Sequence, residues 1–170
     1  KNYSFSPWLY AKINKPKNSL LFKEMLNSKL DSKFLGKEIS RKSYIDKSTH
    51  FYLVSRAMKE NSYTLNKYSQ SEIPMLPSKF KDLKLKKYDI LIAKDAKPGE
   101  VVILDQDYPN HMVSGGIYKL PLKDDDKLFL FFILKSNYFK QQLSIKVPKG
   151  ATLKHAGKLF LDCHIPKVEK

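Results

Sequence analysis

The residues of this 170-residue chain that could do chemistry gather around one short connection. Asp89 is followed, six positions on, by Asp95-Ala96-Lys97. Metal-dependent nucleases place an acid on one strand and an acid-x-Lys triplet on the next, because carboxylates hold Mg²⁺ and the lysine stabilises the attacked phosphate. Here the triplet falls in the connection 94–100 rather than inside a strand. With 30 lysines in the chain such triplets also arise by chance, as at Asp82-Leu83-Lys84 and Asp125-Asp126-Lys127. The competing reading makes Asp89 a turn residue that accepts backbone hydrogen bonds. Lys94, Asp95 and Lys97 then become polar contacts for a polyanion. Cys163-His164 is the other pair with chemistry in it. On a strand its side chains point to opposite faces, so a buried Cys beside a surface His is simpler than a metal pair or a thiol–imidazole pair. No glycine-rich phosphate loop, GxSxG, CxxC or HExxH occurs, and His50, His111, His155 and His164 are scattered.

The connection is held by two apolar runs, residues 90–93 and 101–104. Neither alternates polar with apolar, so both read as strands covered on both faces. Pro98-Gly99 supplies the turn, Pro fixing φ and Gly permitting φ > 0. Upstream, Ser19 caps a predicted helix over about 19–30, with Leu20, Leu21, Met25 and Leu26 on one face. Residues 33–39 read as a short helix or turn and residues 51–57 (FYLVSRA) as a strand. Residues 61–80 form a polar loop with short strand pieces. Downstream, a strand near 116–120 follows Ser114-Gly115-Gly116. Asp124, Asp125 and Asp126 offer N-caps for a helix through LFLFFILKS, whose stripe 129–134 is core, and a second helical segment runs to about Ile145. Residues 159–165 read as a final strand before Pro166. The fold class expected is α+β, a single globular domain with a mixed, mostly antiparallel twisted sheet and a few helices.

Charge narrows the function classes. Lysine and arginine number 32 against 17 acids, for a net +15 and a pI near 9.7, a footprint suited to a polyanion. Residues 1–87 carry +12 of it and residues 88–170 only +3. A lysine-rich surface without a nucleic-acid role remains the bland alternative, since 30 of the 32 bases are lysine. No apolar run reaches the roughly 18 residues of a membrane span, so no membrane role is expected. The lone Cys163 forms no internal disulfide, which favours a reducing compartment and a cytoplasmic location.

Beyond these patterns, the order of several segments resembles a known family. Leu85-Lys86-Lys87-Tyr88-Asp89-Ile90-Leu91-Ile92-Ala93, the loop with Gly99, a second apolar strand and Ser114-Gly115-Gly116-Ile117-Tyr118-Lys119-Leu120 together look like a target-recognition domain of Type I restriction–modification DNA-specificity subunits. The helix 129–136, then Gly150-Ala151-Thr152-Leu153-Lys154-His155 and the ending 159–166 continue the likeness, and Phe34-Leu35-Gly36-Lys37-Glu38-Ile39 is similar to the family's opening turn. Tyr88 stands where the family usually has Gly, and Pro166-Lys167-Val168 lacks the usual second Pro. The resemblance divides the chain into an N-terminal extension, 1–32, packed on the body, and a recognition domain, 33–168. It places a spacer helix just after residue 170 and allows a second recognition domain in a fuller chain, whose own pairing with itself stays open.

What the resemblance implies is a non-catalytic reader of one half of a split site in double-stranded DNA. A separate modification (methyltransferase) subunit and a restriction subunit would act there. S-adenosylmethionine, ATP and Mg are expected on those partners and no cofactor on this chain. Recognition residues in such a family vary with the target, so the contacts follow from charge and loop logic alone. Arg41 and Lys42 combine a basic pair with the donor Tyr44. Arg56 lies in a predicted strand, where it serves either a guanine contact or an internal ion pair. Asn61 and Tyr63 occupy the polar loop, Lys94, Asp95 and Lys97 the hairpin connection, and Lys149, Lys154 and His155 the region around Gly150. Asn61 and Tyr63 read more readily as ordinary loop residues, and Lys149, Lys154 and His155 read equally as a solvated loop. A general nucleic-acid-binding module is the alternative, with a metal-dependent nuclease behind it.

Overall fold

A computed structural model describes residues 18–59, 62–68, 70–147 and 157–167. Among these, the elements run β1 (Ser19–Leu21), β2 (Phe51–Leu53), β3 (Glu72–Pro74), β4 (Ile90–Ala93), β5 (Val101–Ile103), β6 (His111–Val113), β7 (Ile117–Lys119), α1 (Asp124–Lys135), α2 (Asn137–Lys146) and β8 (His164–Pro166), with several 3-10 turns between them. The strands form three small sheets, ordered β1-β8, β3-β2-β6 and β5-β4-β7. All pairings are antiparallel except β2 with β6. The class is α+β, as the sequence indicates, with its mixed and mostly antiparallel pairing divided among three sheets.

The hairpin at the centre shows why its strands lack alternation. Successive side chains of a strand point to opposite faces. Ile90 and Ile92 of β4 enter a core built with Phe22, Leu130, Leu134 and Phe139. Leu91 and Ala93 enter a second core with Leu53, Leu85 and Val113. Val101 and Val102 of β5 divide the same way. Each of these larger side chains contributes on the order of 2 kcal/mol by leaving water.

Two buried ion pairs fix α1 to the hairpin. Asp89, just before β4, receives Lys119 Nζ at 2.7 Å and Lys127 Nζ at 3.0 Å. Glu100, just before β5, receives Lys135 Nζ. Lys127 and Lys135 are eight residues apart, about 12 Å along a helix axis, close to the roughly 13 Å length of a four-residue strand. The helix therefore reaches both ends of the hairpin at once. Burial works against the Lys127 charge, yet its hydrogen bonds to Asp124 and Asp89 hold the ammonium above its ordinary range.

Several expectations are corrected. Residues 19–30 are not a helix: Ser19–Leu21 pairs with Pro166 to His164, and a 3-10 turn, Phe22–Met25, follows. Non-local pairing has overridden the helical spacing of the leucines. The strand expected over 51–57 stops at Leu53, because Val54 N–H turns to Ser71 O and Ser55–Ala57 coils into a 3-10 turn. Residues 159–165 divide into a 3-10 turn, Leu159–Asp162, and β8. Within the stripe 129–134, Phe132 is 61% exposed rather than core, since α1 is covered on its inner side only.

Candidate nucleic-acid interface

Three backbone segments converge where β4 ends. Gly36 N–H donates to Ile117 O and Lys37 N–H to Val113 O, while Lys94 N–H donates to Gly116 O at 2.8 Å. Contact is close enough to demand glycine: a β-carbon on Gly36 would lie 2.1 Å from the carbonyl oxygens of Val113 and Ser114. One on Gly115 would press on Glu38, and one on Gly116 would touch Asp95 at 3.4 Å. Glu38 accepts the Tyr52 hydroxyl at 3.0 Å, and burial, reinforced by that carboxylate, drives the Tyr52 phenol far above its ordinary range.

The connection between β4 and β5 is tied at both ends and bent in its middle. Ala93 N–H donates to Glu100 O, Gly99 N–H to Ala93 O and Glu100 N–H to Lys97 O. Ala96 adopts φ 61°, a left-handed conformation costly for any side chain, and Lys97 N–H closes the bend onto Asp95 O at 2.7 Å. Gly99 adopts φ 82° with Leu143 of α2 against it, so no other residue fits there. Lys94 and Asp95 pair with each other at 2.6 Å and are about one-quarter exposed, leaving Lys97 as the freely projecting cation. This geometry presents an ordered cation and a half-buried ion pair beside a glycine turn, an arrangement able to meet phosphate and base edges without prior ordering.

Around that edge the sequence candidates distribute unevenly. Ser114 N–H donates to Leu53 O, which brings the segment leading into the Arg56 turn beside the glycine turn. Arg56 is exposed and, among the described residues, makes no ion pair, so the internal-pair reading is set aside and its strand placement corrected. Arg41 and Lys42 are exposed on the 3-10 turn Arg41–Ser43. Tyr44 anchors that turn by bridging to Met75 and packing on Tyr52 at 6.0 Å. This group lies toward the Phe51 end of β2, one strand length from the glycine turn. Tyr63 stands apart: its carbonyl accepts Ile103 N–H and its ring packs on Phe131, at the far end of β5. Asn61, Lys149, Lys154 and His155 lie outside the described residues. Lys37 and Glu38 were passed over as part of an opening turn. A Gly followed by charged residues, with a second glycine pair downstream, was the signal that could have placed them.

The catalytic alternatives lose their geometry. Asp89 accepts Lys86 N–H at 2.9 Å as well as its two lysines, as a buried turn residue should. It stands a full strand away from Asp95, about 20 Å along extended chain, so the two carboxylates cannot share a cation. Among the described residues no group of three or more His, Cys, Asp and Glu is arranged to hold a metal. Cys163 is fully buried, and burial pushes its thiol up to about 12, while His164 hydrogen-bonds Ser19 at 3.2 Å instead. No helix among the described residues is long and apolar enough to cross a membrane.

A family model, the Type I restriction modification DNA specificity domain, matches residues 36–159, from the opening glycine to the turn before β8. The chain belongs to this family. The specificity domain also resembles solved structures of low identity. One is the crystal structure of the Type-I restriction-modification system S subunit from M. genitalium, at 16% identity and TM-score 0.54, covering 93% of this chain and 36% of that one. Another comes from a structural study of complex assembly and conformational transition of the type I R-M system, at 15% identity and TM-score 0.53, covering 78% and 30%. The specificity domain thus spans about a third of the length of the chains it matches. No curated protein matches it.

Tyr88, at the turn before β4, carries backbone strain. It adopts φ 68°, the left-handed region that glycine enters freely. A tyrosine carries that strain here, 53% exposed with Lys87 over its ring at 5.0 Å.

Proposed function

We propose that this specificity domain reads a short sequence in double-stranded DNA as one half-site reader. It would direct a separate modification subunit and a restriction subunit to the site and catalyse nothing itself. The observation that carries this is the family match joined to the convergent edge, where Lys94, Asp95 and Lys97 are held against the glycine turn. The segment leading into the Arg56 turn lies beside it, and Arg41 and Lys42 project from a neighbouring anchored turn. Arginine matches guanine O6 and N7 in bidentate fashion, while exposed lysines set the register on phosphates. On this reading S-adenosylmethionine, ATP and Mg belong to the partner subunits, and the system works in the cytoplasm. The test is selection of random-sequence duplexes on the immobilised chain at near-physiological salt. Enrichment of one short motif, lost in Arg41→Ala or Arg56→Ala, supports the reading. Salt-sensitive retention without enrichment transfers it to a general nucleic-acid binder, and no retention at low salt overturns it.

A further inference from the structure

The segment between β2 and β3 is tied back on itself at two places. Val54 N–H donates to Ser71 O at 3.1 Å and Asn66 N–H to Ala57 O at 2.8 Å. Ser71 is fully buried, and its hydroxyl donates to Asn66 O at 2.8 Å while accepting Tyr68 N–H at 3.0 Å. Residues 55–71 hold three bases, Arg56, Lys59 and Lys67, against one acid, Glu60, which lies outside the described residues. Lys59 and Lys67 are exposed and, among the described residues, make no ion pair. Each ammonium stands instead over a tyrosine ring. Lys59 Nζ lies 5.2 Å from the ring centre of Tyr68, and Lys67 Nζ 5.1 Å from that of Tyr108. Tyr108 is 2% exposed with its hydroxyl on Asp105, so that ring is fixed. Because Tyr68 follows Lys67, the first contact draws Lys59 to the residue beside the second cation.

A carboxylate that fixes a lysine also cancels its charge, as Asp95, Asp89 and Glu100 do for Lys94, Lys127 and Lys135. A ring face orients the ammonium and leaves its positive charge whole. Such a cation meets a phosphate with part of the cost of ordering a long side chain already removed. We propose that Lys59 and Lys67 are phosphate contacts that set Arg56 in register on the duplex, and that Tyr68 is a positioning residue acting through Lys59. The choice of DNA as the ligand rests on the proposed function. The choice of residues rests on the closed loop and its two lysine–tyrosine pairs.

The test measures the affinity of the full chain for a mixed-sequence duplex by fluorescence anisotropy across a salt series. DNA selection and urea unfolding are run on each variant. Lys59→Gln and Lys67→Gln change exposed residues and should keep the wild-type urea midpoint. Each is expected to reduce the slope of log affinity against log salt by about 1, with the enriched motif unchanged. Tyr68→Leu keeps every charge, and should weaken binding about two- to fivefold in the wild type and not at all in Lys59→Gln. Tyr68→Phe keeps the ring and should bind as the wild type does. A tyrosine with a merely structural role would give the same loss in both backgrounds, and that result overturns the positioning role. Unchanged salt slopes in both lysine variants overturn the phosphate contacts, and a changed motif overturns them by making these lysines base readers. A wild-type chain without salt-dependent binding defeats the DNA reading itself. One that binds and selects a motif, while every variant matches it, defeats this inference alone.

Discussion

Replacing Asp89 tests the framework that holds the candidate interface in place. Its carboxylate is 7% exposed and accepts three hydrogen bonds, from Lys86 N–H at 2.9 Å, Lys119 Nζ at 2.7 Å and Lys127 Nζ at 3.0 Å. Removing one member of a buried charge network costs about 3–5 kcal/mol, because the remaining charges stay buried without their partner. Here each lysine keeps a second partner: Lys119 donates to the carbonyls of Leu83 and Lys84, and Lys127 pairs with Asp124. The expectation for Asp89→Ala therefore sits at the lower end, about 3 kcal/mol. For a chain of this length that is a fall of roughly 6–12 °C in Tm. Asp89→Asn keeps the shape and an acceptor for Lys86 N–H, and should lose about 2 kcal/mol, two charged hydrogen bonds weakened rather than deleted. Urea unfolding followed by circular dichroism reads both, and a double-mutant cycle with Lys127→Met should show a coupling above about 1 kcal/mol. A loss below about 1 kcal/mol for Asp89→Ala, with no coupling, would refute the claim that this carboxylate locks α1 and β7 to the hairpin.

Other expectations follow from the same geometry. Gly36→Ala puts a β-carbon 2.1 Å from two carbonyl oxygens and should cost about 3 kcal/mol in urea unfolding; a cost under 1 kcal/mol would show that the three segments are not tightly joined. Tyr52 and Tyr108 both have phenols raised above 10.0 by burial, so the folded state keeps protons the unfolded chain loses. Their stabilisation is complete below pH 10 and is lost as pH rises beyond it, each group contributing about 1.4 kcal/mol per pH unit. Tyr108→Phe should flatten the alkaline limb by that amount, and an unchanged slope between pH 10 and 11 would contradict it. Lys97→Ala should weaken DNA binding equally for all sequences and reduce the salt slope by about 1, whereas a changed sequence preference would make Lys97 a base reader instead.

The parts of this fold that were legible in the sequence are those decided locally or by two-sided burial. The hairpin strands declared themselves because both runs are apolar at every position, and the two cores that flank β4 are the reason. The acidic run before LFLFFILK marked the start of α1, although Lys123 holds the cap position and the three aspartates occupy the first turn. What failed depended on distant partners. Leu20 and Leu21 keep helical spacing with Met25 and Leu26, yet pair with Ile165 and His164 across nearly the whole chain. The strand β6 carries a polar His111 at its start and was missed, because its pairing with β2 is parallel and far in sequence. At the candidate interface the lysine loop was legible from Pro98-Gly99, but the Lys94–Asp95 pair and the approach of Gly36 were not. Neither leaves a trace in local spacing. Phe132 misled because an apolar run looks alike on every side until the packing of its helix is known.

The most direct measurement of the central claim is the affinity of the chain for the duplex that selection enriches, compared with duplexes changed at one base pair at a time, at fixed near-physiological salt. A sequence reader should lose about tenfold or more at a few adjacent positions, a cost of about 1–3 kcal/mol each, and nothing at the flanks. Equal affinity across the whole series, with only total charge and salt setting its value, would contradict the account.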